Sequence, residues 1–65
     1  MKTRRAKSNE EIQEAIALGR AYLDTAWGRK QVKGYRHDTG WAVTGSGMSQ
    51  RSFMVCVSDV LIEED

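Results

Sequence analysis

This sequence has little of what usually staples a small domain. It carries one cysteine, Cys56, so no internal disulfide can form. Its one histidine, His37, leaves it short of the Cys/His set that a structural zinc requires. Proline is absent, so no strand is barred from full pairing on that account. Neither sign of charge dominates: 10 Lys and Arg stand against 9 Asp and Glu, a net charge of +1. That balance exerts no global pull toward nucleic acid or anionic lipid. No stretch has the apolar length of a signal-peptide core or a membrane span, and no membrane partner is expected. A lone unpaired cysteine suits a reducing compartment, so the expected location is the cytoplasm.

What is there is one small domain's worth of chain. A hydrophobic content of 40% with balanced charge argues against intrinsic disorder. Sixty-five residues leave no room for a second core. A domain of this size buries only about 60% of its unfolded surface, so its core is marginal. With disulfide and zinc excluded, either the packing is unusually good or a second chain completes the core, and the second is expected.

Residues 1–7, which include Lys2, Arg4, Arg5 and Lys7, show no periodicity and read as a flexible basic arm ahead of a single domain over 8–65. Ser8-Asn9-Glu10-Glu11 then fits a helix-capping box. Ile12, Ile16, Gly19, Leu23 and Ala26 recur at helical spacing, which predicts one amphipathic helix ending near Trp27 with Gly28 as its left-handed terminator. Gly19 inside that stripe is costly for a helix, so close approach of another element, or a break into two short helices, is expected there. Beyond Gly28 the period becomes strand-like. Gln31 to His37 and Trp41 to Thr44 read as strands around the turn former Asp38-Thr39-Gly40. Residues 45–50 read as a flexible connection, and Arg51 to about Ile62 as the longest strand. The expected fold is therefore α+β, with one N-terminal helix packed on a three-stranded antiparallel sheet, α-β-β-β.

The last predicted strand is apolar on both faces. Phe53, Val55 and Val57 share one face, and Met54 and Cys56 share the other. One helix covers one face, which leaves Ala42, Met54 and Cys56 as candidate interface residues. Self-association by face stacking or edge pairing follows, most simply as a homodimer. A bulge that switched the facing partway would instead make Met54 and Cys56 ordinary core residues.

Catalysis is poorly supplied, and no cofactor is expected. His37 and Asp38 are adjacent, so on a strand they point apart, and His37 reads as a solvated strand-end residue. Cys56 lies in an apolar run, which suits an inert thiol. Binding has three candidate forms. Trp27, Arg29, Lys30, Lys33, Tyr35, Arg36 and Trp41 interleave cations with rings, as nucleic-acid binding requires, although such a run is more often a solvated face. The acidic end, Glu63-Glu64-Asp65, would neutralise that run if it lay nearby. A nucleotide-type ligand could use Gly45-Ser46-Gly47 with Arg51 and Trp41, at a subunit interface because one short chain hardly encloses a ligand. The third form is recognition of a protein target by an inhibitor, adaptor or sequestering protein, for which an exposed sheet face with Trp, Tyr and Met has the right composition. Small accessory proteins of viruses and mobile elements share this build, by analogy only. Protein recognition is the expected function.

Overall fold

A computed structural model describes residues 2–64 of the chain. Its described elements are strand β1 (Lys2–Arg5), helix α1 (Asn9–Ala17), and strands β2 (Ala21–Thr25), β3 (Gly28–Arg36), β4 (Trp41–Thr44), β5 (Arg51–Met54) and β6 (Leu61–Glu64). All six strands form one antiparallel sheet in the order β1-β6-β2-β3-β4-β5. The expectation of a three-stranded sheet is overturned, although the class remains α+β. The three further strands come from three misread segments.

The first is the basic segment. Lys2–Arg5 pairs with β6 in register from Lys2↔Glu64 to Arg5↔Leu61. Arg4 reaches the Glu64 carboxylate at 2.7 Å and also pairs with Glu11 of the helix. The neighbouring Ala6 is buried, and its amide donates to the Val60 carbonyl at 2.9 Å. The region read as an arm is thus tied down over Lys2–Arg5, while Met1 lies outside the described residues.

The second is the helix, which is half its expected length. It starts as predicted: Ser8 is the N-cap, and its hydroxyl accepts from the Glu11 amide at 3.2 Å. It stops at Gly19, not Gly28. Gly19 takes φ 71, its amide donates to the Ile16 carbonyl, and the Arg20 amide donates to the Ala15 carbonyl. These two bonds make a Schellman motif, which needs a left-handed residue where Gly19 stands. The chain after it has period two: Ala21 and Leu23 are buried and Asp24 is exposed. Gly28, at φ 103, instead follows the Ala26-Trp27 tip of the β2–β3 hairpin, where it takes the positive φ that closes the turn.

The third is the apolar run Arg51 to Ile62, which is broken by a single 3-10 turn over Val57–Asp59. Asp59 accepts from the Cys56 amide at 2.9 Å, and the Asp59 amide donates back to the Cys56 carbonyl. This side-chain capture of the backbone is standard turn chemistry for aspartate. The break carries the chain from β5 at one edge of the sheet to β6 near the other.

The sheet curls around its core. A bulge between Val32 and Gly34 shifts the pairing of β3 with β4. The extra residue lets Val32 and Tyr35, three apart, both face inward, where they sit opposite Thr44 and Ala42. The curl brings Phe53 of β5 and Leu23 of β2 to line one cavity, although β3 and β4 lie between their strands. Helix α1 closes the core with the buried Ile12 and Ala15, which pack with Ala21, Val32, Val60 and Ile62. Gln13 fastens it by donating to the Tyr35 carbonyl at 2.8 Å. No helix among the described residues is long and apolar enough to cross a membrane.

Candidate functional site

The curl sorts the cations of the sequence onto different surfaces. Leu23 pairs with Lys30, and Thr44 pairs with Arg51. Leu23 and Thr44 are buried, so Lys30 and Arg51 stand on the core-facing side of the sheet, at its open end. Trp27, at the tip of the β2–β3 hairpin, leans over this end. Its ring centroid lies 6.2 Å from that of Phe53, tilted by 50°. The Arg51 guanidinium sits 5.6 Å from the same indole, within cation–π range. The hairpin tip is set by Thr25, whose hydroxyl accepts from the Trp27 amide at 3.1 Å and donates to the Gly28 carbonyl at 2.7 Å. A single 3-10 turn at Gly47–Ser49 brings Met48 and Ser49 to the opposite wall. The result is an open cavity of about 280 Å³ lined by Thr25, Trp27, Lys30, Met48, Ser49, Arg51 and Phe53.

Of the eight candidate binding residues, the fold therefore gathers Trp27, Lys30 and Arg51. The others go elsewhere. Arg29 points to the opposite face and holds Asp24 through two hydrogen bonds, of 2.8 and 3.4 Å. That contact holds the Asp24 carboxyl below the usual carboxylate range and raises the Arg29 guanidinium. Lys33 sits in the bulge and donates to Gln31 at 3.3 Å. Tyr35 is buried. Arg36 lies near Asp38, at 3.5 Å, and faces Trp41 across the β3–β4 pair. Trp41 in turn faces Met54. Trp41 and Arg51 thus lie on opposite faces of the sheet, which separates the two residues expected to share a nucleotide. Gly45 and Ser46 do not line the cavity either.

The candidate interface residues also divide. Ala42 has no exposure and belongs to the core, so it is not available as a contact surface. Met54 is 68% exposed and Cys56 is exposed, while Phe53, Val55 and Val57 pack partly against the core. His37 is exposed. Among the described residues no three His, Cys, Asp or Glu side chains cluster closely enough to hold a metal ion.

Charge distinguishes this cavity from two others. One of about 380 Å³ beside α1 is lined by Glu11, Glu14, Glu63 and Glu64 with Arg4 and Arg20. One of about 390 Å³ between β2 and β5 carries Asp24 and Asp59 with Arg5. The Trp27 cavity has two cations and no carboxylate in its lining. Of the acidic end, Glu63 and Glu64 do not neutralise it, because they line the cavity beside α1 and Glu64 is engaged by Arg4 at the far edge of the sheet, while Asp65 lies outside the described residues. Met48, Phe53, Thr25 and Ser49 were not legible as site residues. Phe53 reads as core from its alternation, and Met48 and Ser49 sit in a connection without periodicity. Comparison with protein-family models, curated proteins and solved structures yields no match to this chain.

Proposed function

We propose that this chain is a non-catalytic binding protein that self-associates through β5 and acts by blocking or sequestering a protein target. The observation that carries the reading is the state of the β5 edge. Among the described residues no strand lies on its outer side. Such an edge offers free amides and carbonyls to another strand. Beside it lies an apolar surface made by Met54 and Trp41, 68% and 40% exposed, with the exposed Cys56 following. Edge pairing of two copies about a two-fold axis satisfies those groups and sets the two apolar surfaces side by side in one continuous sheet. Trp and Met at the centre of such a surface also match the residues that dominate protein-recognition energetics.

Sedimentation velocity across a concentration series tests the reading. The wild-type chain is expected to shift from monomer to dimer as concentration rises, and Ser52→Lys/Met54→Lys, which puts charge on the edge, is expected to stay monomeric. A wild-type chain that sediments as a monomer throughout contradicts it.

A further inference from the structure

We infer that the Trp27 cavity binds a single nucleotide unit, with its base on the indole and guanidinium surfaces and its phosphate on Lys30. This goes beyond self-association, because every lining residue belongs to one protomer. Three observations point to this ligand chemistry.

First, Trp27 is placed for stacking rather than for core filling. Trp27 is 66% exposed, an unusual position for the largest apolar side chain, and Phe53 and Arg51 hold it from the side. Indole and guanidinium planes are the surfaces on which proteins stack unpaired bases. Second, the lining selects for negative charge. Lys30 has no carboxylate partner among the described residues, and Arg51 faces only the Trp27 ring. Arg29, the adjacent cation, is by contrast held by Asp24. An anion entering here meets two cations, neither of them held by a carboxylate among the described residues. Third, the size fits. About 280 Å³ lies at the lower bound of ligand pockets, roughly 300–1,000 Å³, which suits one base with its phosphate and not a dinucleotide cofactor.

The nucleotide unit can come from a free nucleotide or from single-stranded nucleic acid, and the test separates the two. Thymidine 5′-monophosphate and a short oligothymidylate are titrated into a Trp41→Phe chain, in which Trp27 is the only indole, and fluorescence is followed. Calorimetry on the wild-type chain provides a second readout that is independent of that substitution. Saturable quenching of Trp27 by both probes is expected. If the oligomer binds more tightly, and only its affinity falls steeply with salt, the source is a strand. If the two bind alike, the source is a free nucleotide. Trp27→Ala, Lys30→Glu and Arg51→Ala are each expected to weaken binding about ten-fold, the scale of one lost stacking contact. Lys33→Glu makes the same charge change outside the cavity and should leave affinity unaltered. Because the cavity lies within one protomer, Ser52→Lys/Met54→Lys should still bind, so failure of self-association and failure of this site are read separately. Three results overturn the inference: no saturable binding of either probe, equal losses from Lys30→Glu and Lys33→Glu, or binding of inorganic phosphate or phosphotyrosine as tight as that of the nucleotide.

Discussion

The two edges of the sheet are each four residues long and are finished in opposite ways. At β1 the cations are spent on the protein itself. Arg4 bridges Glu11 of the helix and Glu64 of β6, and Arg5 donates to the Ser58 carbonyl at 2.9 Å. Helix α1 packs over the middle of the sheet, on β3, β2 and β6, with Ile12 and Ala15 in the core, and touches this edge through the Arg4–Glu11 pair. At β5 the one cation, Arg51, turns to Trp27, while Met54 and the neighbouring Trp41 face outward. A charged, tied edge resists another strand, and an open, partly apolar edge invites one. The contrast teaches that one edge spends its side chains on contacts within the chain, while the other turns apolar side chains outward.

Substitutions in the core under the helix and on the open edge should separate in size. Ile12 is fully buried, so Ile12→Ala is expected to cost about 2–5 kcal/mol in chemical unfolding, enough to unfold much of a domain this small. Met54→Ala on the open flank should change monomer stability by less than about 0.5 kcal/mol, as other surface changes do. Equal costs at the two positions would erase the contrast. Gly19→Ala is expected next, at about 1–2 kcal/mol, because φ 71 is left-handed and strained for any residue with a Cβ. Ser8→Ala, which leaves the Glu11 amide without its cap, should lower stability by about 1 kcal/mol in the same assay.

The smallest effect is on pH dependence. The hydrogen bond from Arg4 holds the Glu11 carboxyl below its ordinary value, and Arg29 does the same for Asp24. A carboxyl with a depressed folded-state pKa binds fewer protons folded than unfolded. Its contribution is therefore complete above the unfolded value, about 4, and is lost as pH falls through the lower folded one. Thermal unfolding should show stability dropping below about pH 4, with a shallower drop in Glu11→Gln. Both carboxyls are solvent-accessible, so the change is modest.

Several of these features were legible in the residues and several were not. The Ser8 cap and strand β4 follow from local chemistry that nothing distant overrides: a hydroxyl three residues before Glu11, and an alternating run after a turn ending in Gly40. The helix end was ambiguous because Gly19 and Gly28 both offer left-handed geometry, and because Leu23 and Ala26 fit a helical stripe as well as Ala21 and Leu23 fit a strand. The break at Val57–Asp59 turns on Ser58-Asp59, a turn signal that continuous apolar neighbours conceal. β1 was hidden for a different reason. Lys2-Thr3-Arg4-Arg5 has no apolar face, and it becomes a strand only because β6 and two carboxylates receive it. In the site, Lys30 and Arg51 lie far apart along the chain, and only the curl of the sheet places them at one opening. The bulge at Lys33 lies in the pairing between their strands, and a register shift of one residue leaves no mark in composition.

The claim on which the rest depends is that β5, and not β1, is the edge that pairs with a second copy. Amide hydrogen exchange on the wild-type chain, compared between nanomolar and high micromolar concentration, measures this strand by strand. Arg51–Met54 is expected to gain protection as concentration rises, while Lys2–Arg5 stays unchanged. Protection that rises first over Lys2–Arg5, or that stays constant along both strands, would contradict it.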